Sequence, residues 1–206
     1  MRGFTLIELM VSVAIMVTMT TLLLYNYPES AVRITLINSI HSVALLVREA
    51  QVRGSAIDSV NSTLGGYGVK IAIPANDTTP SKAILFGDTI SGGLSSYGLP
   101  IGNALYETSP IDETKSTVTL PNRYNITKIC VGQSPSTCTT LSNSYVIISF
   151  VRPDSLPYIY LNGSKTINYS RACIEMQSPR APAVGHTRAV EVYSSGMIRT
   201  ILTGCS

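Results

Sequence analysis

The residues that could do acid–base or metal chemistry in this chain are few and scattered. The two histidines, His41 and His186, lie far apart in the sequence, and neither belongs to an H-x-x-x-H pattern that would suit zinc. No G-x-S-x-G motif or phosphate-binding loop is present. Four carboxylates lack the D-x-D-x-D-G spacing of a calcium loop, and we expect them to be solvated: Asp77, Asp88, Asp112 and Glu113. The sequence therefore predicts no enzyme, cofactor or metal site.

Four cysteines offer a different chemistry, that of disulfide bonds. They are Cys130, Cys138, Cys173 and Cys205, and an even number is typical of an exported domain with two bridges. Cys130 and Cys138 flank a turn region with glycine and proline, which favours a bridge across a hairpin. Cys173 and Cys205 would then tie a middle strand to the C-terminal end. Four cysteines allow three connectivities, and the sequence does not choose between them. Because C-x-x-C is absent, zinc is not favoured.

One carboxylate, Glu8, lies inside an apolar segment that is long enough to cross a membrane. From Phe4 to Leu24 every position except Glu8 is apolar or carries a hydroxyl. A helix of this length spans roughly 30 Å, the thickness of a bilayer's hydrocarbon core. A charge at that depth costs on the order of 3 kcal/mol, so Glu8 needs a partner or a function. A secretory signal would have a shorter apolar core and a small-residue cleavage site, which the segment after Leu24 does not provide.

The residues around this acid, Gly3-Phe4-Thr5-Leu6-Ile7-Glu8, resemble the cleavage and methylation signal of type IV prepilins and type II secretion pseudopilins. The resemblance implies that prepilin peptidase cuts between Gly3 and Phe4 and methylates the new amine of Phe4. It also places Glu8 where it can pair with the Phe4 amine of a neighbouring subunit. Apolar surroundings strengthen such a pair and penalise an unpaired carboxylate. The segment would thus be first a membrane anchor and then an assembly interface.

The rest of the chain is large enough for one exported domain. Of 206 residues, about 150 remain after the N-terminal helix, which is sufficient for a core. Only 13% of residues are charged, while Ser and Thr are abundant, as is typical of strand-rich exported domains. We predict four segments: a leader at 1–3, a transmembrane and assembly helix at 4–27, an amphipathic helix at 28–58 that enters the domain, and a β-rich globular domain at 59–206.

The amphipathic segment follows Pro28-Glu29-Ser30, which we expect to interrupt the helix near the membrane surface. Apolar residues then recur at intervals of three and four, a pattern that predicts one helical face for packing on a sheet. They are Ile34, Ile37, Ile40, Ala44, Val47 and Ala50, with Leu36 and Val43 broadening the stripe.

From Gly65 onward the sequence pattern becomes that of β-strands. We interpret 65–68 as a turn and the Gly/Ser-rich segment Gly87–Pro110 as a long loop. Strands are expected at Tyr67–Ile73, Ala83–Phe86, Val118–Leu120, Asn125–Val131, Tyr145–Val151, Tyr158–Leu161, Thr166–Met176, Ala189–Tyr193 and Met197–Leu202. A long helix followed by antiparallel strands predicts an α+β domain.

This order resembles the pilin fold, in which a long N-terminal helix packs on an antiparallel sheet. Three short stretches, Gly66–Val69, Ile148–Asp154 and Ala189–Arg199, also resemble the GspH/FimT-like minor pseudopilins.

The C-terminal third of the chain contains four arginines that make it more basic than the rest: Arg171, Arg180, Arg188 and Arg199. Some FimT-like minor pilins bind DNA during uptake, so the resemblance makes nucleic acid a partner to consider. Phosphate contacts alone would give weak, salt-sensitive binding, and no basic residues interleave with aromatic ones. A net charge of +3 does not by itself imply nucleic acid. We expect ordinary surface arginines.

These observations predict a structural pilin or pseudopilin subunit rather than a catalyst. It would be held in the bacterial cytoplasmic membrane with its domain outside, and then built into a type IV pilus or a type II secretion pseudopilus. Its partners would be other subunits, prepilin peptidase and, before assembly, membrane lipid. The alternatives are a minor subunit that binds DNA or a surface, and an anchored exported domain that never polymerises. The sequence does not distinguish pilus from pseudopilus or major from minor subunit.

Overall fold

The computed structural model describes residues 5–55, 65–76, 78–89, 91–94, 100–132, 137–151, 156–181 and 185–205. Within these ranges one long helix, α1 (Leu6–Ser55), is followed by twelve strands. At 50 residues, α1 is about 75 Å long. Gly3, Phe4 and Asp77 lie outside the described ranges.

The strands form two large antiparallel sheets and one small one. In chain order they are β1 (Gly66–Ala72), β2 (Lys82–Asp88), β3 (Ser91–Leu94), β4 (Pro100–Gly102), β5 (Thr114–Thr119), β6 (Asn125–Val131), β7 (Thr137–Thr139), β8 (Tyr145–Val151), β9 (Pro157–Leu161), β10 (Arg171–Gln177), β11 (Thr187–Tyr193) and β12 (Ile198–Ile201). The first sheet has the order β5-β2-β1-β8-β9 and the second β12-β11-β10-β6-β7, while β3 pairs with β4. The predicted α+β class with a long N-terminal helix is confirmed, and the architecture fits the pilin fold.

The helix continues through Pro28, so the interruption expected there is wrong. Proline removes one N–H donor and crowds the preceding turn, but the remaining hydrogen bonds of a long helix are kept. Just beyond it, Arg33 Nη2 lies 2.6 Å from Glu29 Oε1, one turn apart on the helix surface. An exposed pair of this kind adds about 0.3–0.5 kcal/mol.

One face of the second half of α1 is buried against both large sheets. Its central residues follow intervals of four and three and are each at most 1% exposed: Leu36, Ile40, Val43, Val47 and Ala50. The inner faces of the sheets meet this stripe with aliphatic side chains, for example Val69 and Ile148 from the first sheet and Ile174 and Val190 from the second. Ile34, which the pattern placed on the stripe, is 57% exposed because the buried face is centred on Leu36 and Val43 instead.

The glycines after the helix belong to a strand, which corrects their interpretation as a turn. Gly66 and Gly68 are both in β1. A Cβ at Gly68 would meet the ring of Phe86 at 2.5 Å, and one at Gly66 would collide with the Phe150 carbonyl. Glycine is thus required here by the close approach of neighbouring groups and not by a reversal of the chain.

Nine of the twelve strands overlap predicted ones, and three were missed. β3 and β4 lie in the segment predicted as a loop, where glycine and serine provide no alternating pattern to read. The third, β7, has only three residues. One predicted strand begins too early, since β10 starts at Arg171 and not at Thr166.

The described residues between β2 and β5, which are 89, 91–94 and 100–113, cover the outer face of the first sheet, and we call them the insertion. Its Ala104 joins a second apolar cluster with Phe86, Ile147, Val151 and Tyr160. Lys70 Nζ, on the same face, lies 4.9 and 4.5 Å from the ring centroids of Tyr106 and Tyr145. The insertion therefore seals a sheet face that would otherwise expose large apolar side chains.

Two buried carboxylates fasten the insertion, so the expectation that Asp88 and Glu113 are solvated is wrong. Both are 0% exposed. Asp88 accepts hydrogen bonds from the main-chain N–H groups of Asn103 (3.1 Å) and Ala104 (2.6 Å). Glu113 accepts them from the N–H groups of Thr89 (2.8 Å) and Glu107 (3.0 Å). These bonds replace water, so the two acids can be buried. Asp112 is exposed, as expected.

The outer face of the second sheet is covered by the C-terminal end of the chain. Disulfides join Cys130 to Cys138, directly opposite each other on β6 and β7, and Cys173 to Cys205. The main chain of Cys205 is also held by two hydrogen bonds. Its N–H donates to Glu175 Oε2 at 2.9 Å, and its carbonyl accepts from Lys128 Nζ at 2.9 Å. Of the three connectivities left open by the sequence, the structure contains the hairpin one.

Truncating the buried stripe should unfold the domain more easily than truncating the opposite side of the helix. For Ile40→Ala we expect a loss of ~2–5 kcal/mol in the free energy of unfolding, because a buried side chain leaves a cavity. Leu45→Ala is the matched control, since Leu45 is 69% exposed, and its effect should stay within ~0.5 kcal/mol. Chemical denaturation of the full chain in detergent measures both, and equal losses would contradict the packing of α1 described above.

Asp88 should make the stability of the domain depend on pH. Burial, together with the negative charge of Glu113, raises the pKa of Asp88 from 3.8 to about 7. The hydrogen bonds from the N–H groups of Ala104 and Asn103 act in the opposite direction and lower this pKa. Because the folded pKa is the higher one, the contribution of Asp88 is complete below about pH 4 and is lost as the pH rises through about 7. Relative to Asp88→Asn, the wild type should lose up to ~4 kcal/mol of unfolding free energy between pH 4 and 8.

The measurement is a series of denaturation curves at different pH for the wild type and the variant in detergent. Asp112→Asn is the control, because Asp112 is exposed, and its pKa is lowered by hydrogen bonds from Thr114. Parallel pH profiles for wild type and Asp88→Asn would show that the carboxylate does not carry this dependence.

Candidate assembly site on the N-terminal helix

The first half of α1 extends from the domain with all its described side chains exposed. Large apolar residues from Leu6 (76% exposed) to Leu24 (68%) are covered by no other part of the described chain. By length and composition, α1 is the one described helix that could cross a membrane, and its most apolar stretch is not buried. Leaving one such side chain in water instead of burying it costs ~1.5–3 kcal/mol. This surface therefore needs lipid or other apolar helices around it.

Glu8 is bound within its own helix in the isolated chain. Thr5 precedes the first helical residue, and its main-chain N and its Oγ1 lie 3.2 and 3.0 Å from Glu8 Oε2. In return, the Glu8 N–H donates to Thr5 Oγ1 at 3.4 Å. This reciprocal arrangement is a capping box, which satisfies N–H groups that a helix start leaves without partners. Its acid also lies near the positive end of the helix dipole.

The capping box was missed by the sequence reasoning, although the signal was present. Thr5-Leu6-Ile7-Glu8 matches the pattern T-x-x-E ahead of an apolar run, which marks a helix start. In the structure the same carboxylate also has a role within its own chain.

The hydroxyl side chains of the apolar segment turn back onto their own helix. Ser12 Oγ donates to the Glu8 carbonyl at 2.7 Å, and Thr20 Oγ1 to the Met16 carbonyl at 2.7 Å. Thr18 and Thr21 bond in the same way to carbonyls three or four residues earlier. A hydroxyl bonded to its own backbone does not need water, so these residues are compatible with an apolar environment.

The two histidines lie in different settings and form no joint site. His41 is exposed on α1. His186, predicted in a loop, is 1% exposed, and its Nδ1 lies 2.8 Å from Ser178 Oγ in the connection between β10 and β11. Among the described residues no group of three or more His, Cys, Asp or Glu side chains is arranged to hold a metal ion.

Three of the four C-terminal arginines are engaged by the protein itself. Arg171 and Arg199 both contact Glu191, at 3.4 and 2.6 Å. Burial alone would raise the pKa of Glu191, but hydrogen bonds from Arg199 and Tyr193 hold it below its ordinary value. Arg188 donates to the carbonyls of Thr187 and Leu202. The fourth, Arg180, is exposed. Glu191 thus offsets part of the charge that these residues could offer to phosphates.

Comparison with known proteins agrees with the N-terminal geometry. Residues 1–24 match the family model of the prokaryotic N-terminal methylation motif. Searches of curated proteins and of solved structures found no match. The matched segment contains the capping box, Glu8 and the exposed apolar half of α1. The chain therefore carries at its N-terminus the prepilin signature of type IV pilins and pseudopilins, with no specific member of that group determined.

Proposed function

We propose that this chain is a structural subunit that prepilin peptidase cuts between Gly3 and Phe4, methylates at Phe4, and releases for assembly into a type IV pilus or a type II secretion pseudopilus. Before assembly, α1 anchors the subunit in the bacterial cytoplasmic membrane with the domain outside. After assembly, the same apolar surface lies in a bundle of like helices. The chain would then have the leader, assembly, amphipathic and globular segments at 1–3, 4–27, 28–58 and 59–206.

The observation that carries this proposal is that the two halves of one continuous helix differ in burial. Its first half exposes apolar side chains from Leu6 to Leu24, while its second half supplies the central stripe of the domain core. A subunit with this design can exchange lipid for neighbouring helices without unfolding, because the domain core does not involve the exposed half. The methylation motif over 1–24 supports the same proposal.

Glu8 would set the register of the bundle. Its carboxylate is held by Thr5 through hydrogen bonds, and among the described residues no cation pairs with it. The cut at Gly3 creates a cationic amine at Phe4, and that amine from a neighbouring subunit would supply the missing charge. In apolar surroundings a pair is favoured only when both charges are present, so subunits that are out of register would be penalised.

The cut itself is tested by replacing Gly3. Gly3→Val should leave an unprocessed precursor in the membrane, because a branched side chain at the cut site obstructs the peptidase. Mass spectrometry of the N-terminus should find N-methyl-Phe4 in the wild type and Met1 in the variant. Arg2→Lys, one residue earlier, is the control and should be processed normally. An N-methyl-Phe4 terminus in the Gly3 variant would contradict the assigned cut.

The role of Glu8 is tested by two substitutions that separate charge from capping. Glu8→Ala removes both the charge and the side-chain cap, whereas Glu8→Gln keeps a residue that can complete a capping box. We expect both variants to be processed and membrane-held but unassembled, with subunits in filament preparations reduced at least tenfold. Electron microscopy with labelled subunits and sedimentation of sheared filaments measure this.

The two variants give different outcomes if the proposal fails. Normal filaments from Glu8→Gln together with loss in Glu8→Ala would mean that Glu8 acts only by capping its own helix. Normal filaments from both would remove Glu8 from assembly altogether. Processing and assembly are read separately, since the N-terminal mass identifies the mature subunit whether or not filaments form.

A further inference from the structure

A small cavity lies on the outer face of the first sheet, between the insertion and β9. Its volume is about 220 Å³, and it is lined by Gly92, Gly102, Asn103, Ala104, Val151, Tyr158, Tyr160 and Lys165. The opposite face of this sheet packs on α1. A ligand in the cavity would therefore not compete with the helix for the sheet. This site goes beyond the proposed role in assembly.

Two tyrosine rings form one wall of the cavity. Tyr158 and Tyr160 alternate along β9 with Ile159, which points into the main core, so both rings lie on the outer face. Their centroids are 6.4 Å apart and the ring planes are inclined by only 19°. Together with Val151 and Ala104, the rings give the cavity an apolar wall against which a small ring can pack.

The two phenol hydroxyls of this cavity have no hydrogen-bond partner among the described residues. Neither phenol hydroxyl, of Tyr158 or of Tyr160, makes a hydrogen bond there, whereas the Tyr193 hydroxyl bonds to Glu191 at 2.8 Å. Lys165 is exposed and forms no salt bridge within 4 Å among the described residues, although its charge acts on the buried carboxylate of Asp88. Two hydroxyls that both donate and accept, and one ammonium that only donates, are thus available to a ligand.

The opposite wall is fixed in place by Asp88. Its carboxylate holds the N–H groups of Asn103 and Ala104, and Ala104 has a φ of 60°, which a non-glycine residue adopts only when its surroundings impose it. A side chain at Gly102 would collide with the same carboxylate. The wall is therefore set before a ligand arrives, which lowers the entropy cost of binding.

These features select a ligand class. The volume suits one ring, the tyrosine hydroxyls suit ring hydroxyls, and Lys165 suits a carboxylate. A nucleotide chain would need several cations for its phosphates, and Lys165 is the one cationic residue among the described residues that line the cavity. We propose that this cavity binds one acidic sugar residue of a glycan through Tyr158, Tyr160 and Lys165.

The test is titration of the full-length protein in a detergent without a sugar headgroup. Glucuronic acid, glucose and adenosine monophosphate are the probes, followed by saturation-transfer NMR and calorimetry. We expect glucuronic acid to bind with a Kd of ~1 mM, as is reasonable for a single small ring, and glucose to bind more weakly. Absence of glucuronic acid binding, or binding of adenosine monophosphate alone, would overturn the proposal.

Variants locate the binding and separate it from folding. Lys165→Met should weaken the binding of glucuronic acid about tenfold or more and leave the binding of glucose unchanged. Tyr160→Phe should weaken the binding of both sugars about threefold to tenfold. Lys115→Met is the control, because Lys115 is an exposed lysine on β5 outside the cavity. Equal affinities in wild type and Lys165→Met would refute the assignment of the charge contact.

Binding of glucuronic acid to the cavity does not depend on filament formation. The Glu8→Gln subunit should bind glucuronic acid as the wild type does, so a failure of the assembly proposal leaves this test intact. Thermal denaturation of each variant shows whether a loss of binding comes from unfolding. Tyr160→Phe removes a single oxygen and keeps the ring, so its fold should be the least disturbed.

Discussion

Burial of one helical face between two sheets is the interaction on which the rest of this structure depends. The stripe from Leu36 to Ala50 packs against the inner faces of both sheets. Without it each sheet would expose one apolar face to water, since the outer faces are already covered by other segments. The helix thus covers the core between the inner faces of the two sheets with one of its faces, and its position determines where the exposed first half begins.

Each outer sheet face is closed in a different way. The first sheet is covered by the insertion, which Asp88 and Glu113 fasten through main-chain hydrogen bonds. The second is covered by the C-terminal end, fastened by the Cys173–Cys205 disulfide and by Glu175. One closure is electrostatic and responds to protons, while the other is covalent. In both cases a short chain segment covers the outer face of a sheet, as a further layer of secondary structure would.

Local patterns carried the predictions that succeeded, and long-range contacts explain those that failed. The apolar run, the helical stripe and most strands follow from spacing alone. The burial of Asp88 and Glu113 does not, because their partners are main-chain N–H groups up to 24 residues away. Glycine in β1 was read as a turn because the sequence does not reveal the Phe86 ring beside Gly68. The T-x-x-E cap at Thr5–Glu8 depends only on local spacing and can be predicted from the sequence.

Both disulfides join parts of the second sheet and the C-terminal end, and neither joins a sheet to α1. If tension acts along the helix while the domain is held at a surface, the force passes from α1 to the sheets through the main chain that leads to β1, through side-chain packing, and through hydrogen bonds such as that from Gln51 Nε2 to the Gly196 carbonyl. It passes through neither disulfide. The covalent links then stiffen the far side of the domain but do not share the load at the helix. The resistance to shear of the packed interface around Ile40 and Val43 would therefore be the same whatever the redox state of the cysteines.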